Sequence, residues 1–277
     1  MTMATRKKIA GMHSVDTNGR SKHPASTPSW VLPLVTILVV LVALELATRF
    51  HLLGHDFPTV SAVGVQLYEQ IRDPSMWHQL LRTLLAWILG FVIAAVVATP
   101  LGSLIALNRF LDSSTRLIVD FLRPIPPVAV LPLAVLLFGT QLKMTVIIVA
   151  FSAFWPILFQ TIYGVHDVDP LKLDTASVFG LGRIDTYRRV VLPSATPYMA
   201  TGFRLAATIA LVVTIATELI VGTSGLGYQI NQVRYAGDTA GMYALILITG
   251  AIGSLVSWLL IGFERRTLHW HASYRRG

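Results

Sequence analysis

The sequence predicts an all-α membrane protein with about six transmembrane helices. Three observations carry that prediction. Its 277 residues are 54% hydrophobic and 13% charged, about half the charged share of a soluble domain. The apolar residues are gathered into runs long enough to cross ~30 Å of hydrocarbon as helices. The lysines and arginines are concentrated in alternate connections between those runs, the distribution that membrane topology imposes.

Residues 1–29 are polar, carry Arg6, Lys7, Lys8, Arg20 and Lys22, and read as a disordered cytoplasmic tail. The apolar run 30–50 is long enough to span and predicts an uncleaved first helix. Glu45 and Arg49, at i,i+4 near its far end, are expected to pair at the interface. Residues 51–77 form an extracytoplasmic loop, in which Pro58-Thr59 opens a short amphipathic helix with Val60, Val63, Leu67 and Ile71 on one side.

Residues 78–263 contain the other five spans. In the second run (80–107), Gly90, Ala94, Ala98, Gly102 and Ala106 form a row of small residues that lets another helix approach closely in lipid. A polar turn, 108–116, follows. The third run, 117–139, holds Pro124, Pro126, Pro127 and Pro132 and cannot be one unbroken helix. Backbone freed in this way survives at membrane depth only when covered by protein or lining a cavity, so the break is a candidate translocation path. Arg123 either joins Asp120 beside that break or marks the membrane boundary and snorkels.

The fourth run (144–163) follows the short outer turn 140–143. The fifth (198–220) carries Gly202, Ala206, Ala210, Thr214 and Glu218 in another small-residue row ending in a carboxylate. An acid inside a span is a functional candidate because leaving it in lipid costs a few kcal/mol. The alternative is a structural pair with Arg234 of the outer loop or with a group on a second copy; Arg204 lies about four turns away on the same helix, out of reach. Gly225-Leu226-Gly227-Tyr228 reads as a tight re-entering turn, since no strand precedes it and no Lys-Ser/Thr follows as a phosphate loop requires. The sixth run, 242–263, has Gly250, Ser254 and Gly262 for packing, and 264–277 is a basic cytoplasmic tail.

The polar loop 164–196 is the most ordered connection. Asp169-Pro170 is a cap and first-position pair, and Gly180 is a stop residue for the helix between them. A second short helix with Ile184, Tyr187 and Val191 on one face is expected to end at Pro193. Within this loop, Asp174-Thr175-Ala176, Gly180, Val190 and Leu192-Pro193 fall at the spacing of a known signature. The loop resembles the cytoplasmic coupling loop of ABC-importer permeases, with Asp174 where Glu is usual and Thr175 where Ala is usual. The proline-rich segment 124–139 independently resembles the third segment of the same permeases. The resemblance runs from about residue 78 onward and is closest to the aliphatic sulfonate, taurine, nitrate and bicarbonate group.

That resemblance implies a type I importer permease fold in the inner or plasma membrane, with both termini cytoplasmic. It implies a homodimer of permeases, two cytoplasmic ATPase subunits that hold the ATP and Mg (this chain carries no cofactor), and an extracytoplasmic solute-binding protein delivering a small, anionic solute. Asp174, Thr175, Ala176, Gly180, Val190, Leu192 and Pro193 would form the ATPase-coupling loop. Arg123, Pro124, Pro126, Pro127 and Glu218 would border the path.

The residues exclude other chemistries. There is no cysteine, which removes disulfides and thiol catalysis. The eight histidines form no metal pattern, and no Gly-x-Ser-x-Gly elbow, paired intramembrane aspartates or Gly-x-x-x-x-Gly-Lys-Ser/Thr loop occurs. An intramembrane enzyme is therefore disfavoured, and ATP hydrolysis would lie on another chain. An ion-coupled secondary transporter, the alternative reading, should show internal repeats and a midplane cluster of acids; Glu218 stands nearly alone. The net charge of +8 does not point to nucleic acid. Most of the 22 lysines and arginines lie in the N-terminal tail, the 108–116 turn, the coupling loop and the C-terminal tail, whereas Arg72, Lys143 and Arg234 face the other side. This bias places the coupling loop in the cytoplasm.

Overall fold

A computed structural model describes residues 31–50, 52, 54, 57–122, 124–222 and 224–267. The N-terminal tail, Arg123 and the last ten residues lie outside them. Among the described residues all regular structure is helical: α1 (Val31–Arg49), α2 (Val60–Arg72), α3 (Pro74–Leu107), α4 (Arg109–Leu122), a 3-10 turn (Pro127–Val130), α5 (Leu131–Phe138), α6 (Leu142–His166), α7 (Pro170–Val178), α8 (Arg183–Thr186), α9 (Leu192–Val221), α10 (Leu226–Tyr235) and α11 (Thr239–Thr267). Five crossings are long and apolar enough on their own. A sixth is completed if α4 and the 127–138 segment, bent by 81°, form one span.

The bundle is built around α6, which lies between α3 and α9. Ala94 and Ala98 of α3 and Ala206 and Ala210 of α9 close on Ile148, Val149, Ala153 and Ile157 of α6 in one buried cluster. The approach is so near that side chains have no room. A Cβ at Gly90 would lie 2.7 Å from Val149 Cβ, one at Gly102 3.0 Å from the Leu158 carbonyl oxygen, and one at Gly202 2.7 Å from Gln160 Cβ. These are the two small-residue rows expected from the sequence. The row on α11 differs: among the described residues, a Cβ at Gly250 or Gly262 meets nothing within 4 Å.

Capping sets several boundaries. The Thr59 hydroxyl accepts the Ala62 amide at the start of α2. Glu45, besides its 2.8 Å ion pair with Arg49, accepts the Ser61 amide at 3.1 Å and so fastens α1 to the first turn of α2. Asp73 caps α3 through the Ser75 amide at 2.8 Å, starting that helix several residues before the apolar run.

Three elements depart from expectation. The supposed turn 108–116 is mostly helix. Asn108 Oδ1 accepts the Phe110 amide at 3.0 Å, and α4 then runs with Phe110, Leu117, Ile118 and Phe121 on one exposed face opposite Asp112, Arg116 and Asp120, a 3.6-residue period that makes the segment amphipathic rather than irregular. Pro193 does not stop a helix. A π-helical turn, Tyr187–Val191, precedes it, with the Leu192 amide bonded to the Tyr187 carbonyl. Widening the helix by one residue relieves the clash a proline ring makes in a regular α-helix, so the chain stays helical from Arg183 to Val221. The inserted residue also breaks the expected face: Val191 is buried whereas Ile184 is 71% exposed. Finally, Glu264 belongs to α11 and not to a tail; it is buried and lies 3.0 Å from Arg204 of α9.

The packing predicts opposite outcomes for two glycines. Gly102→Val places three heavy atoms into the α3–α6 contact, an overpacking that costs about 1–3 kcal/mol, and is expected to lower the yield of folded protein in membranes several-fold. Gly250→Val should leave monomer folding unchanged. Fluorescence-detected size-exclusion chromatography of solubilised membranes reads both.

Candidate coupling element and translocation break

The candidate coupling element is assembled from local rules. Asp169 Oδ1 accepts the Leu171 amide at 2.9 Å, and Pro170 occupies the first turn, where its missing N–H costs nothing. At the other end the Leu181 amide bonds to the Ala176 carbonyl and the Gly180 amide to the Ser177 carbonyl, both at 3.0 Å. This paired closure puts the residue after the cap in the left-handed region, and Gly180 is there with φ +70°.

The element is fixed to the bundle at its roots. The Tyr187 hydroxyl donates to Ser103 Oγ of α3 at 2.9 Å, and the Tyr198 hydroxyl of α9 donates to Asp167 Oδ2 at 2.8 Å. Beneath them Val165, Val168, Val191, Ala195 and Met199 form a separate buried cluster, against which Leu192 packs. Ala176 faces inward at 3% exposure, whereas Leu171, Val178 and Phe179 are 70%, 84% and 79% exposed. Exposed apolar side chains gathered on one loop between charged residues mark an interaction surface.

The residues singled out in this loop do not all converge. Thr175, Ala176, Val190 and Pro193 line one open cleft of about 730 Å³ between α7 and the start of α9, together with Lys172 and Arg189. Asp174 does not line it: its carbonyl accepts the Ser177 hydroxyl at 2.7 Å. Leu192 faces the cluster beneath.

At the proline break, α4 ends at Leu122 and the chain resumes as the 3-10 turn at Pro127. The Ile125 amide reaches the Leu122 carbonyl at 3.2 Å and the Ala129 amide the Pro126 carbonyl at 3.0 Å. Pro124 and Pro126 are exposed. Nearby, Asp112, Arg116, Asp120, Tyr163 and His166 line a small cavity of about 210 Å³ between α4 and α6. No group of three or more His, Asp or Glu side chains able to hold a metal occurs among the described residues.

Glu218 is 1% exposed and points into the junction of α3, α9 and α10. The expected pairing with Arg234 is not formed. Its Oε2 accepts the Thr83 hydroxyl at 2.8 Å and the Gly227 amide at 3.1 Å, while the Arg234 guanidinium lies over the Tyr235 ring, 5.0 Å from its centre. A hydroxyl and an amide replace the cation because the turn after Gly222 brings α10 back against Glu218. Sequence reasoning missed α10, although Leu226, Ile230 and Val233 at helical spacing carry its signal. It also missed Ser103 and Thr83, single polar residues inside spans that only tertiary contact reveals.

The family described as binding-protein-dependent transport system inner membrane component matches residues 98–269. A putative aliphatic sulfonates transport permease protein, SsuC of Bacillus subtilis, is 29% identical over 221 residues, covering 78% of this chain and 79% of that protein. The bicarbonate transport system permease protein CmpB of Synechococcus elongatus is 30% identical over 192 residues, covering 68% and 69%. Among solved structures, a chain from inward facing conformations of the MetNI methionine ABC transporter superposes with a TM-score of 0.62 at 19% identity, covering 70% of this chain and 98% of that one; this likeness concerns the fold.

The anchoring of the coupling element can be measured directly. Tyr187→Phe removes the hydroxyl that reaches α3 and should cost about 1 kcal/mol. Ser103→Ala should cost a similar amount, and the double variant no more than the larger single one. Additive losses in thermal unfolding would show that the two groups do not share a bond.

Proposed function

Because the chain belongs to the family of binding-protein-dependent transport system inner membrane components, the ABC-importer permeases, we propose that two copies of it form a passage for a small anion. A solute-binding protein delivers the anion from outside, and two separate cytoplasmic subunits hydrolyse ATP. The observation that carries this reading is the exposed apolar face of α7 on an anchored loop. It gives an ATPase a surface to grip, and the bonds from Tyr187 and Tyr198 connect that surface to α3 and α9.

The proline break supports the second copy. Pro124, Pro126 and Val128 are exposed in one chain, and interrupted backbone is not stable against hydrocarbon. A second permease facing it would cover the break and enclose the path between the two chains. Arg123, adjacent to the break in sequence, supplies positive potential there. The relatives named for sulfonates and bicarbonate support an anionic solute. The charge bias of the connections supports cytoplasmic termini, and the lack of a phosphate-binding loop supports ATP sites on other chains.

Uptake in proteoliposomes containing the purified permease–ATPase complex and its binding protein tests the function. A panel of sulfonate, nitrate and bicarbonate should include a transported anion, and Arg123→Ala should reduce its uptake at least tenfold. Normal uptake by that variant, or transport restricted to cations, would contradict the reading. Gly180→Val, which forces a β-branched residue to φ near +70° at about 1–3 kcal/mol, should leave the chain in the membrane but lower ATP-driven uptake several-fold. In this cysteine-free chain, single cysteines at positions 124–130 should react with a water-soluble thiol reagent; uniform protection in every nucleotide state would count against a path there.

A further inference from the structure

Three successive amides at the start of α10 are taken by side chains of other helices. The first amides of a helix have no partner within it. Here the Gly225 amide donates to Gln79 Oε1 at 2.7 Å and the Leu226 amide to Thr83 Oγ1 at 2.8 Å. The Gly227 amide donates to Glu218 Oε2 at 3.1 Å. Thr83 is held from both sides, because its hydroxyl proton goes to the same Glu218 oxygen at 2.8 Å. Glu218 and Thr83 are each 1% exposed.

The sequence makes room for this arrangement. Gly225 has φ +134°, and a Cβ there would run into the Glu218 carboxylate; a Cβ at Gly227 would lie 2.8 Å from Glu218 Cβ. Only glycines let the chain settle on the carboxylate. Below the bonds, Met76 and Leu80 of α3 pack with Leu226 and Ile230 of α10 and Leu245 of α11. Three helices therefore meet at α10, at the end of α9 opposite the coupling element.

The geometry points to Glu218 and Thr83 as a latch that holds α10 against α3 and α9 and must release when that end of the passage opens. This rests on the transporter reading. Separating α10 from both α3 and α9 leaves the Gly225, Leu226 and Gly227 amides and the Glu218 oxygen without partners unless water enters. The seam therefore has two stable conditions, closed and dry or open and hydrated. Glu218 acts through the position of α10 and is a positioning residue; it lines no passage itself.

Hydrogen–deuterium exchange of the segment 224–230 tests the latch in the complete permease–ATPase complex. In the nucleotide-free wild type these amides should be strongly protected. With ATP hydrolysis arrested by vanadate they should exchange at least tenfold faster, while amides in the middle of α6 stay protected. Without nucleotide, Glu218→Gln and Thr83→Val should exchange at least tenfold faster than wild type, and Thr83→Ser should restore protection. Equal protection of the wild type in both nucleotide states would overturn the proposal without any variant being needed, and so would wild-type exchange in both variants. Failure of ATPase subunits to co-purify with the wild-type chain would instead overturn the transporter reading, and the latch with it.

Discussion

The structure depends on helices approaching one another closely where they have no side chains. Inside a bilayer, hydrocarbon surrounds an apolar helix as comfortably as another helix does, so association rests on close van der Waals packing. α6 meets that requirement twice, against Gly90, Ala94, Ala98 and Gly102 of α3 and against Gly202, Ala206 and Ala210 of α9, all buried. The remaining helices need less from the core. α1, whose described residues are nearly all exposed apart from Thr48, is tied on through Glu45 and Ser61, and α4 is tilted away at the proline break.

A rigid central trio makes both ends of the bundle mechanically meaningful. The helix that begins at Arg183 continues through the π turn into α9 and ends at Val221, so one element joins the candidate coupling loop to the junction around Glu218. α3 is bonded to the same system at three levels: through Ser103 near the loop, through the Trp87 indole N–H to the Ala207 carbonyl at 2.9 Å, and through Thr83 near α10. A displacement imposed on α7 is therefore resisted by α3 and α9 together and not absorbed in a flexible linker.

Much of this was legible in the sequence because it follows from short-range rules. Asp169-Pro170 and Gly180 bounded α7, Thr59 opened α2, the prolines broke the third span, and the four-residue spacing of small residues marked the contacts of α6. The signature in the 164–196 loop led to the family. What escaped was of two kinds. Pro193 was read by the rule for regular helices, which does not consider a π turn; the same inserted residue moved Ile184 off the face of Val191. Glu218 was assigned a charged mate because charge is visible in a sequence. Its actual partners, a hydroxyl 135 positions away and the amide of Gly227, depend on how the chain returns after Gly222. The α11 row shows the limit of the spacing rule: small residues permit close approach but do not specify by what.

The exposed face of α7 is the surface proposed for the grip of an ATPase subunit. Site-specific photo-crosslinking in native membranes from Phe179, which is 79% exposed, probes that contact. The expected result is an adduct between this chain and an ATP-binding subunit, formed from position 179 and not from a control position on the buried side of α7 at Ala176. Adducts only to lipid or to a second permease, with none to an ATP-binding protein, would contradict it.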